Sequence, residues 1–123
     1  MKIIINNASG VPIYEQIVSQ IKSQIMTGEL TEGEALPSMR LLAKEQRISV
    51  ITTKRAYEEL EREGFIYSVV GKGSFVAPKN IEVIKEQHLR EIEDKLREAL
   101  ALAHLSGIEI KELKEMFDIL AEE

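Results

Sequence analysis

Residues 49–76 read SVITTKRAYEELEREGFIYSVVGKGSFV, and this stretch decides the fold. Ser49 is a favourable N-terminal cap, and the residues after it predict a helix that runs to about Glu63. Gly64 then ends the helix, and two runs rich in aromatic and β-branched residues follow it. Because Gly71-Lys72-Gly73 joins these runs, the stretch predicts one helix followed by a β-hairpin.

Two further helices are predicted upstream of this stretch. Pro12 begins the first, in which isoleucine and valine recur at spacings of three and four until Gly28 ends it. The second covers about residues 39–46 and has Ser38 as its cap, and Arg47-Ile48 forms the turn to the third helix. In the second and third helices, the residues predicted to face the core are Leu41, Leu42, Ala43, Ile51, Ala56 and Leu60.

Three helices with a tight turn between the last two, followed at once by a hairpin, are typical of a winged helix-turn-helix. The fold class is therefore mainly α with a small β-hairpin. The polar face of the third helix suits the DNA major groove, which is about 12 Å wide, so this order favours binding of duplex DNA. A winged helix that binds other proteins is the alternative, and salt-sensitive binding of duplex DNA distinguishes the two.

Four segments resemble the GntR family of bacterial regulators. They are LPSMRLLA at residues 36–43, the helix start at 49–54, AYEELEREGFI at 56–66 and GKGSFV at 71–76. The opening helix, PIYEQI at 12–17, is similar to the family's as well. The resemblance implies a sequence-specific DNA-binding regulator, and it covers about half of the chain.

The residues and the resemblance together mark a set of expected DNA contacts. These are Ser38, Arg40, Arg47, Ser49, Thr52, Thr53, Lys54, Gly71, Lys72 and Gly73. The resemblance implies that Arg40 contacts the DNA backbone or a base edge. Val50 stands where many members have arginine, so a common guanine-reading contact is absent. Arg47 replaces a glycine that is usual in the turn, and it is either a phosphate contact or a solvated surface cation.

Residues 80–123 predict a tail of two helices, separated at Gly107, after a domain of residues 1–79. This tail is too short for the large effector domains of most family members and resembles that of the YtrA-type subfamily, which serves dimerisation. The predicted partners are therefore double-stranded DNA and a second copy of the chain, although the tail could instead fold on its own domain. The residues expected at the dimer interface are Leu89, Ile92, Leu96, Ala99, Ala103, Leu113, Phe117 and Leu120.

The net charge of −5 argues against DNA binding, but the distribution of charge along the chain removes this objection. Residues 1–79 hold ten Lys/Arg and nine Asp/Glu, whereas residues 80–123 hold six and twelve, so the acidity lies in the tail. The chain has no cysteine and no long apolar run, which predicts a cytoplasmic protein. Its two histidines, His88 and His104, are not accompanied by other potential metal ligands at a suitable spacing. The sequence also shows no nucleophile–base pair. We expect no cofactor, no metal and no catalysis.

Overall fold

The computed structural model describes all residues, Met1–Glu123, and divides them into two compact units, Met1–Asn80 and Ile81–Glu123. The fold is mainly helical, with a winged helix-turn-helix followed by two helices. The elements are α1 (Ile13–Met26), α2 (Met39–Gln46), α3 (Val50–Arg62), β1 (Ile66–Val69), β2 (Gly73–Val76), α4 (Ile81–Leu105) and α5 (Ile110–Ala121).

The core of the first unit forms where α1 and α2 both pack against α3. Its largest fully buried side chains include Ile17 and Ile21 of α1, Leu42 of α2, and Tyr57 and Leu60 of α3. The Tyr57 hydroxyl donates a hydrogen bond to the Pro37 carbonyl at 2.8 Å, and burial raises the pKa of this phenol. Tyr57 is therefore part of the core and its one polar atom has a partner.

The two predicted serine caps are confirmed. Ser38 Oγ accepts a hydrogen bond from the Leu41 N–H at 3.1 Å, and Ser49 Oγ accepts one from the Thr52 N–H at 3.1 Å. Each bond satisfies a backbone donor that the first turn of a helix leaves without a partner. The caps fix the starts of α2 and α3 and hence the length of the turn between them.

Two predicted core residues are instead exposed. Leu41 is 47% exposed and Ile51 is 81% exposed. Three successive helical residues point about 100° apart, so Leu42 and Ala43 can face α3 only if Leu41 turns towards solvent. Ile51 lies out of phase with Ala56 and Leu60, and the buried side chain in the same turn is Thr53.

The hairpin pairs β1 with β2 in antiparallel register, with Ile66 opposite Val76 and Val69 opposite Gly73. Tyr67 and Phe75 stack on one face with ring centroids 5.6 Å apart. The loop before α2 also bonds to β2, since the Leu36 N–H donates to the Ser74 carbonyl at 2.9 Å. This isolated bridge, in which Ala35 pairs with Phe75, joins the hairpin to the loop before α2 and was not predicted from the sequence.

A row of glutamines on α1 holds the N-terminal segment. Gln16, Gln20 and Gln24 follow one another at intervals of four residues and so lie on one face of the helix. Their side-chain amides exchange hydrogen bonds of 2.6 to 3.0 Å with the backbone of Lys2, Ile4 and Asn6. These amides thus pair with backbone N–H and C=O groups of the N-terminal segment, as a neighbouring β-strand would.

The second unit consists of α4 and α5, which the turn at Ser106–Gly107 separates. Within it only Ala103 is buried, and its carbonyl accepts a hydrogen bond from the Ile108 N–H at 2.9 Å. Most of the large apolar side chains of this unit are exposed, including Leu89, Ile92 and Phe117. Neither helix is long and apolar enough to cross a membrane, nor is any other helix of the chain.

Candidate DNA-binding surface

The start of α3 is exposed, and one of its hydroxyl protons has no acceptor within the protein. Ser49 Oγ donates a hydrogen bond to Thr52 Oγ1 at 2.9 Å while it caps the Thr52 N–H. The Ser49 proton is therefore used inside the protein, whereas the Thr52 hydroxyl still has its own proton to donate. Together with the positive end of the helix dipole, this arrangement suits a phosphate oxygen or a base acceptor.

Arg47 closes the turn before this helix in a left-handed conformation, with φ 56° and ψ 46°. It is the only residue other than glycine with a positive φ. The conformation explains why glycine is usual at this position in the family, since a Cβ is strained there. The Arg47 side chain is exposed and makes no ion pair.

We expect Arg47→Gly to raise the free energy of unfolding by about 1 kcal/mol, because glycine relieves the strain of the left-handed backbone. Denaturant unfolding measures this change, and Arg47→Ala, which keeps the Cβ, is the control. Equal stabilisation by both variants would contradict the backbone explanation. An equal loss of DNA affinity in both would identify the guanidinium as a phosphate contact rather than a solvated cation.

Three of the candidate cations lie on three different elements: Arg40 on α2, Lys54 on α3 and Lys72 in the hairpin turn. Arg40 and Lys72 are exposed and form no ion pair. Lys54 lies 3.8 Å from Glu58, and both side chains are 63% exposed. Such an exposed pair stabilises the fold by at most about 1 kcal/mol, so Lys54 can exchange Glu58 for a phosphate.

The turn of the β-hairpin, which is the wing of the winged helix-turn-helix, needs its glycines for their backbone conformation and not because a side chain would clash there. Gly71 has φ 80° and Gly73 has φ 108°, and a Cβ at either position would meet no atom within 4 Å. The Lys72 N–H donates to the Val69 carbonyl at 3.0 Å, which closes the turn and leaves the Lys72 side chain in solvent. The wing therefore presents an exposed cation on a hydrogen-bonded turn.

Thr53 is a correction to the predicted contact set. Its side chain is 0% exposed, and its hydroxyl donates to the Ser49 carbonyl at 3.2 Å. A fully buried hydroxyl with an internal acceptor has no access to DNA. The other candidates, Ser38 included, are exposed or half-buried.

The structure adds Asn7 to this surface, a residue that was not predicted from the sequence. Asn7 lines a groove of about 380 Å³ together with Arg47, Ser49 and Thr52. These four side chains are thus brought together, whereas Arg40 and Lys72 do not line this groove. The only signal in the sequence was the row of glutamines that binds the N-terminal segment. The spacing of these glutamines does not show which segment of the chain they bind.

This surface has no evident titrating pair and no evident metal site. The Arg62 guanidinium hydrogen-bonds to Glu59 and lowers the pKa of that carboxyl, but this pair lies at the other end of α3. The Arg55 guanidinium stacks over the Tyr14 ring at 3.8 Å, and Tyr14 in turn donates to Glu15. No three His, Cys, Asp or Glu side chains lie close enough to hold a metal ion.

The predicted interface residues of the tail are mostly exposed in the single chain. Leu89, Ile92, Leu96, Ala99, Phe117 and Leu120 are exposed, and Leu113 is half-buried. Ala103 differs, because it is already buried within its own chain. Four of the exposed residues, Leu89, Ile92, Leu96 and Ala99, share one face of α4, which we call the α4 seam.

A winged helix-turn-helix with an exposed third-helix start and unpaired cations on the neighbouring elements defines a DNA-binding regulator. The sequence model of the family described as "Bacterial regulatory proteins, gntR family" matches residues 13–76. The chain therefore belongs to the GntR family. It is a DNA-binding transcription regulator and not an enzyme.

Relatives and solved structures agree with this assignment. The chain is 35% identical over 111 residues to the HTH-type transcriptional repressor YtrA of Bacillus subtilis, a match that covers 90% of this chain and 85% of that one. The structure of YtrA from Sulfolobus acidocaldarius, a GntR-family transcription factor, is similar with a TM-score of 0.64 and 37% identity, over 80% of this chain and 97% of that one. The DNA-binding domain of AraR in complex with operator ORX1 is similar with a TM-score of 0.55 and 28% identity, over 63% and 96%.

Proposed function

We propose that this protein is a homodimeric repressor that binds a pseudo-palindromic operator, in the cytoplasm, and controls an operon such as one for an ABC-type transporter. The name of its relative YtrA, a transcriptional repressor, supports repression. The resemblance to the YtrA-type subfamily, whose members often repress such operons, supports the choice of target.

The exposed start of α3 carries the DNA-binding part of this proposal. The free Thr52 hydroxyl proton and the helix dipole lie together there, and Arg40, Arg47 and Lys72 have no acidic partner. In each subunit α3 enters the major groove while the Gly71–Gly73 turn contacts the DNA beside it. Local cations can attract phosphates although the whole chain is acidic, because phosphate contacts depend on the nearby charge.

The exposed apolar surface of the tail supports the dimer. Two helices with one buried side chain between them do not form a stable unit, since the stability of a helix comes mainly from packing of its apolar face. A second copy that covers the α4 seam supplies that packing. It also sets two α3 helices in successive major grooves, about 34 Å apart. A signal would then act by changing the spacing or tilt of the two DNA-binding units.

Selection from a random duplex pool with the purified full-length chain tests both parts. We expect an enriched site with two symmetric half-sites whose centres are about 10 base pairs, or a multiple of this, apart. The logarithm of the binding constant should fall linearly with the logarithm of salt concentration. Salt-insensitive binding, or a single half-site without symmetry, would contradict the proposal.

The regulatory part is tested in the cell. Deletion of the gene should raise the transcript of the operon that contains the selected site, and light scattering of the protein should give twice 13.9 kDa. A transcript that falls on deletion would identify an activator instead.

A further inference from the structure

Two apolar side chains stand exposed at the start of α3. Val50 is 45% exposed and Ile51 is 81% exposed, and both lie in the first turn after the Ser49 cap. Their neighbours in sequence, Thr52 and Lys54, are polar. The core does not use Ile51, so its side chain is free to contact a partner of the chain.

Helix geometry sets Ile51 at the centre of the outward face of α3. Successive residues turn by about 100°, which puts Ile51 roughly 160–180° from the buried Thr53 and Leu60. Lys54 and Glu58, three and seven residues later, share its side of the helix. The residue that projects furthest from the core is therefore an isoleucine, and Val50 lies at the edge of the same face.

The exposed cations of the first unit favour DNA over a protein as the partner of this pair. The first unit carries exposed cations without acidic partners, among them Arg40, Lys44, Arg47 and Lys72, which suits a polyanion. In the major groove of duplex DNA, the C5 methyl group of thymine is the apolar group that distinguishes one base from the others. Valine and isoleucine offer no hydrogen bond to a base edge, so this methyl group is the feature that they can recognise.

We propose that Val50 and Ile51 read thymine through its C5 methyl group and so give each half-site a preference for thymine. This inference rests on the proposed operator binding and assigns its specificity to apolar contact rather than to hydrogen bonds. One buried methyl group corresponds to about a fourfold change in affinity. In a symmetric dimer the same contact occurs twice, so removal of one methyl from each half-site should weaken binding about sixteenfold.

The test replaces thymine by uracil, which pairs with adenine in the same way but lacks the methyl group. Each thymine of the duplex selected from the random pool is replaced in turn, in both half-sites, and Kd is measured by fluorescence anisotropy. We expect one or two positions per half-site at which uracil weakens binding about sixteenfold. The Ile51→Ala variant should lose this discrimination at one of them. Ile4→Ala, which truncates another exposed isoleucine of the same unit, should retain it.

The possible outcomes separate this inference from the proposed function. Salt-sensitive binding with no thymine position that responds to uracil would overturn the inference and leave the operator binding intact. The same uracil response in wild type and in both Ile51→Ala and Val50→Ala would assign the methyl contact to another side chain and would also overturn it. Absence of salt-sensitive binding to any duplex would refute both. The uracil scan of the wild-type protein needs no variant, so a poorly folded variant does not obscure the result.

Discussion

Arg40→Ala is expected to weaken operator binding between about thirtyfold and about twenty-five-thousandfold. One lost contact to a phosphate or a base edge costs about 1–3 kcal/mol, and the proposed homodimer loses it twice. Arg40 is exposed on α2 and forms no ion pair, so its removal should leave the fold unchanged. Equilibrium binding to the selected duplex measures the loss, and thermal unfolding verifies the fold.

The salt dependence of the Arg40→Ala variant also decides which group Arg40 contacts. A lost phosphate contact in each subunit should lower the slope of log K against log salt by about 2. A lost base contact should instead relax the preference at one base pair of each half-site. The sequence leaves open whether Arg40 contacts the backbone or a base edge, and one titration with the selected and mismatched duplexes separates the two.

Lys54→Ala should give a loss of the same order, with an added effect from Glu58. Lys54 currently neutralises that carboxylate across 3.8 Å, so the variant leaves Glu58 facing the phosphates alone. Arg62→Ala is the matched control, because it removes one cation from the far end of the same helix. If Arg40→Ala and Lys54→Ala both bind as tightly as Arg62→Ala, the contact surface assigned here is wrong.

The helix boundaries and caps were predictable because they depend on local chemistry. Ser38, Ser49 and Gly64 act through their own backbone or their immediate neighbours, and the family resemblance adds the turn glycines. The inward face of α3 was predicted less well. Ile51 was placed inside because it is apolar and Thr53 outside because it is polar, yet the helical period puts them the other way round. In a short helix such as α3, the angular position of a residue relative to the buried Leu60 predicts its burial better than its polarity does.

Other features could not be predicted because they join distant parts of the chain. The amides of Gln16, Gln20 and Gln24 bind the N-terminal segment, which lies 10 to 22 residues away in sequence. Glutamine at a spacing of four is ordinary on the solvent face of a helix, so the pattern carries no sign of a partner. Asn7 joins the candidate surface only through this attachment. The bond between the Leu36 N–H and the Ser74 carbonyl is a similar long-range feature.

Leu96→Glu is expected to convert the proposed dimer to a monomer and to weaken operator binding by about a hundredfold or more. Leu96 lies in the middle of the α4 seam, between Ile92 and Ala99, and is exposed in the single chain. An unpaired carboxylate cannot be buried against the apolar face of a second copy without a large desolvation cost. The two half-sites are then bound independently, and the gain from linking two DNA-binding units, about a hundredfold to ten-thousandfold, is lost. Light scattering and equilibrium binding measure the two effects.

Leu105→Glu provides the control that ties this result to one face of the helix. Leu105 is 83% exposed, and it lies nine residues after Leu96, so its side chain points roughly 180° away from the seam. The same change of leucine to glutamate there should leave both the dimer and the affinity for the full operator intact. Binding of Leu96→Glu to a duplex with one half-site should equal that of wild type, because its DNA-binding unit, Met1–Asn80, is unchanged. A Leu96→Glu protein that remains a dimer would move the interface away from the α4 seam, to the exposed apolar face of α5 around Phe117.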